Sequence, residues 1–269
     1  MATNALHSAA TGLRALSTKL DVLANNLANA NTVGFKGSRV NFEDLIYEHK
    51  KQPGVENATG TLTPAGLQIG LGVDISNTQL DFSQGSASAT ERPLDVAIAG
   101  DGFFKVTLPN DLGGGVGYTR AGNFFRNNQG DLVLGNSSGF LLEPGITIPD
   151  EIPEDRITIS KDGTVSVTNN AGQTTELGQL ELATFVNKAG LKSVGGNVFI
   201  ETDGSGPPIE GEPGTGGLGT IEQGFLEQSN VDPVKELVNL IKTQRAFELN
   251  SQTIQAADEV MQVVGNLRR

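Results

Sequence analysis

Two apolar heptads, one at each end of the chain, constrain this sequence more than any other feature in it. Leu6, Leu13, Leu20 and Leu27 fall seven apart, and Ala9, Leu16, Leu23 and Ala30 follow each of them by three residues. Side chains at that spacing form one narrow stripe along an α-helix, and a narrow stripe needs a partner helix. At about 1.5 Å per residue, a helix of about 30 residues runs roughly 45 Å, more than a single small domain requires. The closing segment repeats the pattern. Asp232 followed by Pro233 predicts an N-cap and a first helical residue. From there Leu240, Phe247, Ile254 and Met261 recur every seven residues, with Thr243, Asn250, Ala257 and Val264 three positions on. Thr and Asn in a seam lower its stability and favour a fixed register or neighbour.

Between the two heptads the period drops to two. Leu67, Ile69, Leu71, Val73 and Ile75 alternate with small or polar residues, and Leu94, Val96 and Ile98 repeat the alternation, which predicts half-buried strands. Further short strands are expected at 104–108, 132–134, 157–159, 165–167, 180–185 and 198–200. Turn signals at 128–130, 162–163, 170–172 and 195–196 separate them. Residues 50–62 and the Gly/Pro-rich stretch 203–219 read as loops. The expected fold class is α+β, with long N- and C-terminal helices pairing as a coiled coil around an inserted all-β body. The expected division is 1–32 with 232–269 as the helical domain and 33–92 with 220–231 as a connecting β or extended domain. That domain carries an extension at 47–67, and 93–219 forms an outer β domain.

Charge separates the same regions. Of the formal net charge of −12, residues 1–35 carry +1 and residues 231–269 carry zero, so the remaining −13 lies between them. Near-neutral ends can pack against copies of themselves, while an acidic middle keeps the exposed part soluble, and the net charge disfavours nucleic acid as a partner. With no cysteine, disulfides and thiolate chemistry are excluded. No apolar run approaches the roughly 20 residues that span a bilayer, so no direct membrane insertion is expected. The amphipathic first twenty residues lack the apolar block of a cleaved secretory signal.

Fragments that invite a chemical reading each have a plainer one. Gly214, Gly216 and Gly219 match a dinucleotide-binding spacing, but such a site needs a strand before it and a helix opening from it. Here prolines precede it, and a linker is expected. Asp150, Glu151, Glu154 and Asp155 form an acidic run broken by Pro149 and Pro153. Catalytic carboxylates instead converge from separate elements with their pKa values pushed apart. His7 and His49 are the only histidines, too few for a His-rich metal site. No G-x-S-x-G nucleophile elbow occurs. No catalytic residue, cofactor or metal is expected. The rival reading, a dimeric glycan-binding or hydrolytic β domain, would need a pocket with converging polar groups.

The specific signals concern assembly. Asn25, Asn26, Asn29 and Asn31 crowd the end of the first heptad helix and are followed by Thr32, Gly34 and Phe35. Carboxamides donate and accept hydrogen bonds without charge, so they can fix packed contacts without the desolvation cost of ions. This stretch, ANNLANANTVGFK at 24–36, resembles the N-terminal signature of the rod and hook proteins of the bacterial flagellum. Residues 227–262, which include Asn230, Gln244 and Arg245, resemble their C-terminal signature. The blocks DVAIAGDGFFKV at 95–106 and YTRAGNFFRNNQGDLV at 118–133 resemble the same family, so the similarity covers nearly the whole chain.

Within the family, FEDLIYEHKKQPG at 42–54, with Tyr47, Gln52, Pro53 and Gly54, is most similar to the distal-rod members. Another rod or hook-type subunit is the alternative. The resemblance implies a structural subunit that polymerises into a hollow helical drive shaft and transmits torque from motor to hook. It implies as partners further copies of the chain, proximal rod and hook proteins, the surrounding P and L ring proteins and the flagellar type III export apparatus. It also implies a place in the basal body across the periplasm, reached without a cleaved signal peptide. The expected interface comprises the seam residues Leu6, Leu13, Leu16, Leu20, Leu23, Leu27, Leu240, Phe247, Asn250, Ile254 and Met261 together with the signature residues named above. Both ends are expected to order only on assembly.

Overall fold

The computed structural model describes residues 2–54, 64–109, 112–149, 151–169 and 172–267. The middle of the predicted extension, Asp150 of the acidic run and the start of the turn at 170–172 lie outside them. The architecture is α+β, and the chain divides into two compact units: 1–28, 38–79 and 232–269 in one, 29–37 and 80–231 in the other.

The first unit holds both long helices. Helix α1 spans Ala2–Ala28. Four strands follow: β1 Ser38–Asp44, β2 Tyr47–Lys51, β3 Leu67–Gly70 and β4 Val73–Leu80. Strands β1 and β4 pair, as do β2 and β3, so the predicted extension begins and ends as an antiparallel ladder. Helix α2 covers Pro233–Leu267. Its start follows the expected capping chemistry, because the Asp232 carboxylate accepts from the N–H groups of Val234 at 3.0 Å and Lys235 at 3.3 Å. Those bonds hold the Asp232 carboxyl below its usual range. Both ends of the chain, expected to order on assembly, are helical in this structure.

The second unit is the β body. Its strands are β5 Ala87–Ala89, β6 Val96–Ala99, β7 Phe103–Thr107, β8 Val116–Thr119, β9 Phe124–Arg126, β10 Leu132–Leu134 and β11 Leu142–Glu143. They continue with β12 Ile157–Ile159, β13 Thr164–Thr168, β14 Thr174–Gln179, β15 Leu182–Thr184, β16 Lys192–Gly195 and β17 Val198–Ile200. The last three are β18 Ile209–Gly211, β19 Thr220–Gln223 and β20 Phe225–Glu227. Seven of them build the main antiparallel sheet in the order β16-β17-β8-β7-β15-β18, with β11 also on β7. Strands β12, β13 and β14 form a second antiparallel sheet.

Period-two patterning explains why the body closes. In β13, TVSVT, Val165 and Val167 are buried while the residues between them are half exposed. In β7 the neighbours Phe103 and Phe104 point to opposite faces of the sheet, and both are fully buried. Phe104 enters the main core with Val106, Phe124 and Leu182, its ring edge-on to Phe124 at 5.2 Å. Phe103 enters a smaller aromatic core with Tyr118, Phe185 and Phe199. Burying each such ring contributes about 1.5–3 kcal/mol, which makes this sheet the stable centre of the chain. Every strand predicted here from alternation is present in some form. Strands β5, β8, β9, β11, β14, β16, β18, β19 and β20 were not anticipated, and β18 lies inside the stretch read as a loop.

Candidate assembly interface

Three groups of residues hold the positions singled out in the sequence, and they can be built up one at a time. The first is the helix pair. Helices α1 and α2 are packed closely enough that a Cβ at Gly12 would lie 3.2 Å from the Asn250 Nδ2. The most buried positions of α1 are Ala9, Gly12, Ala15, Leu23 and Asn26, so small residues set the close approach. Leu6, Leu13, Leu16, Leu20 and Leu27 are half-buried along one side of that face. On α2 the covered positions are Leu240, Thr243, Asn250, Ile254 and Ala257, which follow the predicted heptad with Thr243 the deepest. Phe247 and Met261 remain 36% and 43% exposed. Gln244 and Arg245 are exposed.

Asn26 is the polar centre of this pair. Its Nδ2 donates to the Ser38 carbonyl at 2.8 Å and its Oδ1 accepts from the Ser38 N–H at 3.0 Å. It also hydrogen-bonds Glu236 of α2. Burial pushes the Glu236 carboxyl above its ordinary range, against the pull of Asn26 and Lys19, and its Oε2 has no partner among the described residues. Asn25 is exposed.

Helix α2 carries a second apolar face. At about 100° per residue, Val234, Leu237, Val238, Ile241, Leu249, Val260 and Val263 cluster on the side opposite the seam. Their exposure runs from 43% for Val238 to 72% for Val234. Arg245, Glu248, Gln252 and Glu259 project on the same side between them, so the apolar surface is grouped at 234–241 and 260–263, and exposed apolar patches of that kind mark interaction sites.

The second group is the β arm, β1 to β4. It is tied to α1 by Asn4 Nδ2, which donates to Glu48 Oε2 at 2.9 Å, and by the Val73 N–H, which donates to Thr11 Oγ1 at 3.3 Å. Ile46, Tyr47 and Leu67 leave 81%, 44% and 55% of their surface in solvent. Gln52, Pro53 and Gly54 are exposed where the ladder opens.

The third group lies within the β body, where the segment entering it meets the segment leaving it. Asn29 accepts from the Thr32 hydroxyl at 3.2 Å, and the Thr32 and Phe35 turn leads into Gly34 at φ +68°. A Cβ at Gly34 would stand 2.6 Å from the Ala121 nitrogen, so only glycine fits. The Gly34 N–H donates to the Glu227 carbonyl at 2.8 Å. Asn230 Oδ1 accepts from the Gly37 N–H at 2.8 Å, while its Nδ2 donates to the Asp81 carbonyl at 2.8 Å.

Beneath these bonds sits a buried ionic cluster that the sequence reading did not single out. Lys36 Nζ is 2.7 Å from Glu227 Oε1 and donates to the Ser83 carbonyl at 2.7 Å. Arg120 Nη1 lies 3.5 Å from Glu227 Oε2 and donates to the Gly100 carbonyl at 2.9 Å. The three side chains are 0–1% exposed. Desolvation lowers the Lys36 pKa, and Glu227 works against that shift. The available signal was that each family-like block carries a charge in an otherwise uncharged stretch: Lys36 after GF, Arg120 within YTRAGNFF and Glu227 before QSN.

The chemical fragments go elsewhere. Glu151, Glu154 and Asp155 are exposed around a short 3-10 turn at Glu154–Arg156. Among the described residues no cluster of His, Asp and Glu could hold a metal ion, and no helix is long and apolar enough to cross a membrane.

Comparison with known proteins covers the same blocks. Residues 6–36 match the family model of flagella basal body rod proteins. Residues 97–167 match the flagellar hook protein FlgE/F/G D1 domain, and 222–267 match the flagellar basal body rod FlgEFG protein C-terminal model. The flagellar basal-body rod protein FlgG of Borreliella burgdorferi is 44% identical over 266 residues, 98% of each chain. That of Caulobacter vibrioides is 42% identical over 98% of this chain and 99% of its own. The flagellar hook-basal body complex protein FlhP of Bacillus subtilis is 33% identical over 97% of this chain and 98% of its own.

Proposed function

The chain belongs to the flagellar basal-body rod protein family as a structural subunit of the distal-rod type, and on that premise we propose that it polymerises into a hollow helical shaft transmitting torque from motor to hook. The observation that carries the polymer is the uncovered apolar face of α2, with Val234 72% and Leu249 63% exposed. In this reading one face of α2 meets α1 in a coiled-coil seam, and the other is buried against helices of neighbouring copies. Seam residues Leu6, Leu13, Leu16, Leu20, Leu23, Leu27, Leu240, Phe247, Asn250, Ile254 and Met261 set the helix pairing. Asn26 ties α1 to Ser38, and Gly34 and Asn230 hold together the segments that enter and leave the β body.

The helical ends, the connecting β arm and the β body each have a separate role in this reading, and no catalysis is assigned to any of them. The exposed Ile46, Tyr47 and Leu67 support a second role, in which the arm over 47–67 braces neighbouring subunits and stiffens the shaft. Its deletion is expected to give a more bendable polymer, and an unchanged straight rod in the deletion strain would sink that role. Proximal rod and hook proteins are the axial neighbours in this reading, the P and L rings surround the shaft, and the type III export apparatus delivers the subunit.

The natural chain has no cysteine, so a single one can be placed on the outer face of α2 without competition. Isolated rods carrying Ile241→Cys, treated with a short cross-linker that joins a thiol to a lysine amine, are expected to give dimers of the chain. Only monomers, with the chain present in the rods, would mean that this face points away from its copies.

A further inference from the structure

The ionic cluster of the β body is out of balance, and a cleft opens beside it. Two buried cations, Lys36 and Arg120, share the single buried carboxylate of Glu227. The next carboxylate, Asp101, is 60% exposed, stands 4.0 Å from Arg120 Nη2 and is held at 2.6 Å by a third cation, Lys188. Asp81, exposed, also acts on Lys36, so the imbalance is confined to the buried groups, two cations to one carboxylate, in a chain whose net charge is −12. The Arg120 Nε is buried without a partner among the described residues, although its side chain is only 1% exposed. A buried donor on a charged group costs more than a neutral one when it is left unpaired.

The cleft, about 460 Å³, is lined by Arg120, Asp101, Gln84, Phe82 and the glycine-rich turn through Gly214, Gly217 and Gly219. This is the turn whose spacing suggested a dinucleotide. Here it holds no helix and no phosphate cradle, and its glycines supply a side-chain-free wall opposite a guanidinium. Gly219 could carry nothing larger, since a Cβ there would lie 2.6 Å from the Ala99 carbonyl oxygen. A small planar oxyanion suits both the free space and the fork geometry of arginine.

We propose that this cleft receives an Asp or Glu side chain of a second copy of the chain, completing the charge balance at Arg120 only when subunits assemble. A second copy is the occupant because 31 acidic residues against 19 basic ones make it the concentrated source of carboxylates once subunits are adjacent. The inference rests on the polymer reading and adds to it a contact made by the β body.

The test uses the full chain in isolated rods. Gln84→Cys, labelled with a benzophenone maleimide, places a photoreactive probe at the cleft rim. Illumination is expected to join the probe to a peptide of a second copy that carries Asp or Glu, identified by mass spectrometry. Removing Arg120 could unfold the body, so the charge test adds Thr220→Asp to the labelled chain, which supplies a carboxylate to the cleft from within. That variant is expected to lose the intersubunit cross-link, while Thr220→Asn, equal in size and uncharged, retains it. Cross-links confined to one chain, directed to another protein, or indifferent to Thr220→Asp overturn the inference while leaving the polymer standing. Absence of the chain from the rods overturns both. A saturable rise in melting temperature of the unassembled chain with acetate, abolished by Thr220→Asp but without copy-to-copy cross-links in rods, would reassign the cleft to a free anion.

Discussion

Phe103, Phe104 and Val106 of the β body keep none of their surface in solvent, whereas Val234, Leu249 and Val263 of α2 each keep more than half. Both regions are rich in apolar side chains at regular spacing, yet only one of them finishes its burial within a single chain. A sheet with two packed faces closes on itself, because successive residues of β7 feed cores on opposite sides. A 35-residue helix paired with one partner covers one stripe and leaves the other to neighbours. The division teaches where stability and assembly reside. The β body sets whether the chain folds, and the helices set what it joins.

The sharpest way to break that comparison is to attack the ionic cluster, whose loss should unfold the body rather than merely weaken assembly. Lys36→Met leaves Glu227 buried with the longer contact to Arg120 and the Gly85 N–H that donates to it at 2.8 Å, and removal of one partner from a buried ion pair costs about 3–5 kcal/mol. Urea unfolding of the full chain, followed by tyrosine fluorescence, measures it. A loss below about 1 kcal/mol would place the cluster among pairs that contribute little.

Smaller effects are expected at the backbone contacts around the cluster. Gly34→Ala forces a side chain into a left-handed conformation and against the Ala121 nitrogen, for a cost of about 1–3 kcal/mol. Asn230→Ala strips partners from the Gly37 N–H and the Asp81 carbonyl and should cost about 1–2 kcal/mol. Equal unfolding midpoints for wild type and both variants would show that the entering and leaving strands are held together by something else. On the helices the expectation reverses. Leu249→Ser changes the unfolding free energy of the unassembled chain by no more than about 0.5 kcal/mol, while rods in cells expressing it are lost or shortened. A variant that unfolds the monomer and spares the rods would invert the comparison.

These contrasts also explain how much could be read in advance. The heptads predicted both helices, because a seven-residue repeat of leucines is a local signal that needs no knowledge of the rest of the chain. Of the heptad positions on α2, Leu240, Thr243, Asn250, Ile254 and Ala257 lie on the covered side, while Phe247 and Met261 stay exposed. The heptads did not anticipate that Gly12 and Ala15 would be among the most buried positions of α1, since the contact with α2 and with the β arm depends on side-chain volume in three dimensions. The second apolar face of α2 was concealed for a related reason, as two opposed stripes cancel each other in any single-face reading. Strands such as β8, VGYT after three glycines, and β18, beside two prolines, are held by ladder partners far away in sequence. The Lys36, Arg120 and Glu227 cluster joins residues up to 191 apart, which only the fold brings together.

The smallest expected effect concerns Glu236, a partly buried carboxyl of the helix pair, and its sign separates the two regions once more. Burial raises the folded-state pKa of Glu236 above its ordinary 4.5, with Asp232 adding a like charge and Lys19 and Asn26 pulling the other way. A carboxyl whose folded pKa is raised binds its proton more tightly when folded. Its contribution is therefore most favourable below the ordinary value and is lost as pH rises through the raised one. The helix pair should melt at a slightly higher temperature at about pH 4 than at about pH 7 by this group's contribution. Glu236→Gln, which keeps the hydrogen-bonding shape and removes the charge, should flatten that difference and raise the melting temperature of the helical signal at neutral pH. The comparison is read by circular dichroism on both proteins at both pH values. A variant that melts lower at neutral pH would mean that the charge of Glu236, through Lys19 and Asn26, holds the helices together.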